Sequence, residues 1–377
     1  MKRRAFFKMA GVAALGSTTL SGFPQQKSDA KEAHYNEKGI HPVLEKAPPY
    51  LFIDSCMQIW PDAEFDKAHK HGVSAYTVTA WDPHLPVDQA LKGLMYWHWI
   101  TRKYPNITIA AKAEDIPATK KARKTSLILA SQCGDFIDYE LHRIEAFYRL
   151  GLRMLILAYS LTNKLCAGCL DRTDNGLTAF GRLVVDECNR VGLLLDCSHI
   201  GRISSLEIID RSSHPVVFSH SSTKAIADNP RNIDDTQIKA CAAKGGVIGL
   251  SPWGPMTLKT GQIKRPTVDD FIDHIDHVAQ ILGSTDNIGV GTDMSLGTYA
   301  DHVYDPWGSP EYKDVTSTYD KQITANIRSP HRMVEGFAYY PEVLNFAAKL
   351  RKRGYNEADV QKILGQNYMR VFKTVWK

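Results

Sequence analysis

A chain of 377 residues that is 44% hydrophobic and 23% charged has the makeup of a globular protein with a large core, which excludes disorder. Its formal charge of +5 looks basic, but Lys2, Arg3, Arg4 and Lys8 supply four of those charges within the first 22 residues, where there is no acid. The remainder is close to neutral, which excludes a nucleic-acid surface.

The first 22 residues run from a basic start through a modest apolar stretch to small residues, the layout of an export signal. Arg3-Arg4, followed by Phe6 and Lys8, resembles the bacterial twin-arginine signal, and the stretch is too weak for a stable transmembrane helix. A periplasmic or secreted protein with no transmembrane helix in its mature form is therefore expected, although no clean Ala-x-Ala cleavage site is present. Residues 23–49 are polar and proline-bounded, a linker without periodicity. The cysteines number seven, so a full disulfide framework would leave one thiol over. Cys166 and Cys169, in the polar stretch NKLCAGCLDRTDNG, are read as a local disulfide or as bystanders.

From residue 50 to the C-terminus apolar runs alternate with amphipathic stretches, and 50–377 reads as one domain. Strands are predicted at 50–54, 74–80, 107–113, 126–131, 154–160, 192–198, 215–221, 246–252 and 288–293. Helical spacing with a glycine near its end marks 138–151, 181–192 and 268–283. Strands this apolar, separated by helices, imply a parallel sheet covered on both faces. One strand is in excess of a closed barrel, and 107–113 is the spare because only a short basic segment separates it from the next run. The predicted fold is a single (β/α)8 barrel with its active site at the carboxyl ends of the strands. A doubly wound sheet is the alternative, but no glycine-rich phosphate fingerprint follows the first strand.

The polar residues fall at those carboxyl ends. LLLDCSHI (193–200) and HPVVFSHSS (214–222) both pass from an apolar strand into Ser-His, at His199 and His220. Other strand ends carry Asp54, Cys56, Gln58, Gln132, Cys133, Tyr159 and Asp293. Two neutral imidazoles suit a borderline cation such as zinc, and a nearby carboxylate suits a general base.

The stretches 176–201, 215–235, 273–293 and 350–372 resemble the membrane dipeptidase family, also called renal dipeptidases. The resemblance implies an amidohydrolase-type barrel in which two zinc ions share a bridging carboxylate and hydrolyse dipeptides. Carried over residue by residue, the second-metal histidines fall on His199 and His220 and the last-strand aspartate on Asp293. The arginine that holds the substrate carboxylate falls on Arg231. The first site departs from the pattern. Cys56 and Gln58 stand where a His and an Asp belong, Gln132 replaces the bridging glutamate, and Tyr159 replaces a histidine.

Two divalent ions about 3.5 Å apart repel by ~19 kcal/mol at an effective dielectric constant of about 20, so they need anionic ligands between them. With two carboxylates replaced by amides, one zinc is expected, held by His199, His220 and either Cys56 or Gln132. Arg231 and Gln58 are expected to bind a dipeptide or small amide with a free carboxylate. Asp293 and Tyr159 are the expected base and acid. Two alternatives stay open: a non-hydrolytic isomerase or lyase in the same pocket, and a ligand-binding relative without catalysis. A homodimer is an option. The long aromatic segment 297–341 reads as a lid, with Tyr304, Trp307 and Tyr312 as substrate walls, or as packing against the rim or a partner subunit.

Overall fold

Ten short strands run through the computed structural model: β1 (Ile53–Ile59), β2 (Ala75–Thr79), β3 (Ile107–Ile109), β4 (Thr125–Ser131), β5 (Leu152–Ile156), β6 (Leu194–Asp196), β7 (Val217–Phe218), β8 (Val247–Leu250), β9 (Ile288–Val290) and β10 (Met294–Leu296). The structure describes residues 42–59, 63–262, 264–297 and 332–377. The segment read as an export signal, most of the expected linker, and Tyr304, Trp307 and Tyr312 lie outside these. Among the described residues no helix is long and apolar enough to cross a membrane.

Every pairing is parallel, in the order β10-β1-β2-β4-β5-β6-β7-β8-β9. The spare strand, β3, lies off that path and pairs only with β4. β9 and β10 are two halves of one strand, interrupted at Gly291–Asp293. Gly291 N donates to Leu250 O on β8 (3.0 Å), and Asp293 N donates to Cys56 O on β1 (2.8 Å). The interrupted strand thus closes the ring, and the (β/α)8 barrel expected from the sequence is what forms.

Several strands are shorter than their apolar runs. β7 stops at Phe218 because Ser219 and the residues after it leave the ladder to bond side chains at the barrel mouth. The helix expected at 138–151 begins only at His142, since Asp138 and Tyr139 take left-handed φ values of 43° and 64°. Helix α1 (Ala179–Val191) starts on a Thr178 cap and ends at Gly192, whose φ is 88°. Helix α2 (Val268–Leu282) starts on a Thr267–Asp270 capping box and ends at Gly283.

The C-terminal helix α3 (Asn367–Val375) stoppers the end of the barrel opposite the site. Ile53, Ala75, Leu194, Val217 and Val247, the first residues of their strands, cluster with Tyr368, Phe372 and Trp376. Tyr368 reaches far enough in for its hydroxyl to lie 2.6 Å from Ser55 Oγ. Gly249 makes that reach possible. A Cβ there would lie 2.2 Å from the Tyr368 hydroxyl and 2.1 Å from Ser219 O. Gly249→Ala is therefore expected to destabilise the fold by roughly 1–3 kcal/mol through overpacking. The check is a lower denaturant midpoint at unchanged m value.

Candidate active site

At the carboxyl ends of β6 and β7 the two Ser-His pairs face each other. Asp196, buried at the end of β6, accepts from Ser198 N and Ser219 N (both 2.9 Å) and from the Ser219 hydroxyl. Having donated its proton to Asp196, Ser219 Oγ can only accept from His220 Nδ1, 2.6 Å away. His220 Nε2 is therefore a bare lone pair. His199 Nδ1 sits 2.7 Å from Ser160 Oγ, and His199 Nε2 lies 2.8 Å from His220 Nε2. If Ser160 also accepts, two lone pairs converge with nothing but a cation to hold them. If Ser160 donates, the His199 proton bridges the gap.

Backing of each ring nitrogen by a fixed partner is the arrangement that orients metal-ligating histidines. Both imidazoles are neutral, because burial, followed by the positive charge of Arg231, pushes their pKa values well below the usual range. Neutrality is what ligation requires. Ser160, His199 and Asp293 adopt left-handed φ values of 63°, 65° and 56°. Such backbone costs on the order of 1–3 kcal/mol per residue and gathers at functional sites.

Across the mouth, β1 brings Cys56 and Gln58 to Asp293. Gln58 Nε2 donates to Asp293 Oδ1 (3.0 Å), and Cys56 Sγ lies 3.9 Å from the same oxygen. Gln132 Nε2 donates to Cys56 Sγ (3.3 Å). Asp293 is buried, which raises its carboxyl pKa against the opposing pull of Arg332, Gln58 and Arg231. Arg332 donates to the Asp293 carbonyl (3.0 Å) and to Ser295 Oγ (2.9 Å). Asp54, one strand position deeper, is held by Thr292 and by Cys56 N. Burial there wins over those bonds and raises its carboxyl to about 7.

Cys56 was one of the two residues expected to join the imidazoles. Burial and the charges of Asp293 and Asp54 push its thiol pKa well up, and its sulfur is engaged by Gln132. Among the described residues, the only His, Cys, Asp or Glu trio with all ligand atoms within 4.8 Å of one another is His84, Cys133 and Asp135. Cys56 therefore does not complete a trio with the two imidazoles. Cys166 and Cys169 form no disulfide: both thiols are free. The loop they share instead supports the site, with Cys169 N donating to His199 O (2.9 Å).

Arg231 is buried, and its Nη2 donates to His220 O (3.3 Å) while Nη1 has no hydrogen-bond partner among the described residues. Gln58 Oε1 is likewise buried without one. An open cleft of about 440 Å³ lies outside the imidazoles, lined by Cys169, Arg172, His199, Arg202, Lys224 and Arg231 among others. Tyr159 stacks on His199 with ring centroids 4.2 Å apart at 27°. Asp196, Ser160, Ser219 and Arg332 were not singled out by sequence reading. The Ser-His repeat carried a signal for Ser219 but not for Ser160, which follows Tyr159, and Arg332 lies in the segment read as a lid or as packing.

Comparison with known proteins finds relatives by sequence and by fold. The family model for membrane dipeptidases (peptidase family M19) matches residues 63–310. Dipeptidase 3 of Rattus norvegicus is 26% identical over 72% of this chain and 49% of its own length. Dipeptidase tcpJ of Claviceps purpurea is 26% identical over 71% of this chain and 55% of its own. The chain thus spans about half the length of the curated relatives it matches. An amidohydrolase from Pseudomonas aeruginosa superposes with a TM-score of 0.74 at 29% identity, covering 87% of this chain and 97% of that one. A metallopeptidase from Rhodobacter sphaeroides, solved with a phosphinate mimic of L-Ala-D-Ala, shares the fold with a TM-score of 0.70 at 18% identity, over 89% of this chain and 100% of its own.

Proposed function

The chain belongs to the membrane dipeptidase family, peptidase family M19, and on that premise we propose that it is a metal-dependent hydrolase of dipeptides or small amino-acid-derived amides, with one divalent ion in its central pocket. The observation that carries this reading is the convergence of His199 Nε2 and His220 Nε2, each ring backed by a serine hydroxyl. Two nitrogen ligands on a tetrahedral zinc lie about 3.3 Å apart, so a small parting of the rings from 2.8 Å makes the site. Gln132 Oε1 is the remaining protein ligand the sequence offers, since the Gln132 amide nitrogen is turned to Cys56. The opposite half of the mouth does not suit a second ion. Its Asp293 carboxylate is paired with Gln58, and no second carboxylate stands at 56, 58 or 132.

When bound, zinc supplies Lewis acidity and an activated nucleophile at neutral pH. The chain's own residues then divide the remaining work. Arg231 receives the substrate carboxylate through its unpartnered Nη1. Gln58 Oε1 accepts from a substrate N–H. Asp293, whose carboxyl pKa is raised by burial, takes up the proton released in the attack. The Tyr159 ring, packed on His199, bounds the pocket, and its hydroxyl is the proposed proton donor to the leaving group.

Substrate pairs that differ only at the C-terminus test this. The native protein is expected to prefer a dipeptide with a free carboxylate over its C-terminal amide. In Arg231→Met that preference should vanish, with KM for the free acid rising about 10–100-fold, the worth of a hydrogen bond to a charged group. Equal handling of acid and amide by the native protein would remove Arg231 from the substrate site.

A further inference from the structure

Where β2 and β4 end, side by side in the barrel, a second constellation sits beside the pocket. The loop after β2 carries His84, and the turn after β4 carries Cys133 and Asp135. His84 Nδ1 lies 2.8 Å from Asp135 Oδ2 and 3.7 Å from Cys133 Sγ, and all three ligand atoms fall within 4.8 Å of one another. We propose that His84, Cys133 and Asp135 form a binding site for one borderline divalent cation, zinc, separate from the His199–His220 centre.

The geometry separates this from a nucleophilic relay. In a Cys-His-Asp relay the thiol and the carboxylate address opposite ring nitrogens, so that a proton can pass through the imidazole. Here sulfur and oxygen both approach Nδ1. Three ligand atoms that converge on one point rather than forming a line are arranged for a shared cation. Tetrahedral zinc would place nitrogen and sulfur about 3.5 Å apart and nitrogen and oxygen about 3.3 Å apart, from bonds of roughly 2.0–2.3 Å. The observed nitrogen–sulfur spacing of 3.7 Å is close to the first value, and the nitrogen–oxygen hydrogen bond of 2.8 Å has to open by about 0.5 Å to reach the second.

The surroundings support the same reading. Asn163 Nδ2 donates to Asp135 Oδ1 (2.8 Å) and to Leu157 O (2.7 Å), while Asn163 Oδ1 accepts from Leu165 N (2.9 Å). The second carboxylate oxygen is thus fixed by a side chain that is itself fixed, which is how outer partners aim metal ligands. Gly134 lets Cys133 and Asp135 share one side of a tight turn: a Cβ there would meet Leu165 Cδ1 at 2.4 Å. His84 adopts a left-handed φ of 64°. The His84 and Asp135 side chains remain 28% and 26% exposed, so an ion can enter from solvent. Burial opposes a charge on His84, but its bonds to Asp135 and Cys133 win and raise its pKa to about 10, so a cation binds here by displacing that ring proton. One imidazole, one thiolate and one carboxylate suit zinc, and three protein ligands leave a fourth position open. The Tyr159 ring lies between the two centres, 6.2 Å from the His84 ring and 4.2 Å from that of His199.

Cobalt(II) titration of metal-stripped protein tests the assignment without reference to activity. The native protein and the His199→Ala/His220→Ala variant should both develop a near-ultraviolet thiolate-to-cobalt charge-transfer band. The band should disappear in Cys133→Ser and weaken at least tenfold in apparent affinity in Asp135→Asn. His84→Ala, at a partly exposed position, serves as a second ligand deletion should Cys133→Ser fail to fold by circular dichroism, and it should also abolish the band. A native protein with no band, or a band that survives Cys133→Ser and His84→Ala but is lost in Cys56→Ser, overturns the proposal.

Discussion

Cys56→His, Gln58→Asp and Gln132→Glu, introduced together, should raise the bound divalent metal by one equivalent and raise the hydrolysis of a simple dipeptide above that of the native protein. The argument is electrostatic. Two divalent ions about 3.5 Å apart repel by ~19 kcal/mol at an effective dielectric constant of about 20, and only anionic ligands close to both can offset that. The native mouth offers Asp293 alone on this side, already paired with Gln58, and a thiol at Cys56 whose ionisation burial opposes. The triple substitution adds two carboxylates and an imidazole at the strand ends where the family places its first site. Adding Tyr159→His should increase activity further. Robust dipeptide hydrolysis by the unmodified protein would show that the replaced ligands never altered the chemistry. Two ions without hydrolysis would place the divergence in the walls of the cleft instead.

His220→Ala is expected to have the opposite effect and to be nearly complete. Changes to the groups that merely orient metal ligands cost about 10–100-fold in metal affinity or activity, so loss of the ligand itself should exceed roughly a hundredfold. The buried geometry makes rescue by a neighbour improbable. The Asp196–Ser219–His220 chain aims one particular nitrogen, and no His, Cys, Asp or Glu among the described residues completes a trio there. Ser219→Ala should give a smaller loss in the same direction. Retention of full metal content and activity in His220→Ala would remove the imidazole pair from the mechanism.

Much of this arrangement was legible in the sequence because a parallel barrel puts its chemistry in one kind of place. An apolar run that ends in polar residues already says which side chains meet, and His199, His220 and Asp293 were found on that signal, whereas Arg231 came only from the resemblance to the membrane dipeptidases. The spare strand at 107–109 was legible too, from the short segment that follows it. What stayed hidden depends on the third dimension. That Ser219 links Asp196 to His220 follows from a strand ending at Phe218, where the apolar run stops, and the bonds themselves join residues that sequence spacing does not pair. The split of the last strand into β9 and β10 comes from Asp293 adopting a left-handed φ of 56°, which a non-glycine residue does not advertise. His84 lies 51 residues from Asp135, and only the adjacency of β2 and β4 brings the two together.

The most direct test of a one-ion pocket is elemental analysis of the Cys133→Ser protein, purified without chelators or metal-affinity tags. With the thiolate site disabled, the account predicts one equivalent of divalent metal per chain, most of it zinc, and none once His220→Ala is added. Two equivalents in the Cys133→Ser protein, or one equivalent that His220→Ala leaves untouched, would contradict it.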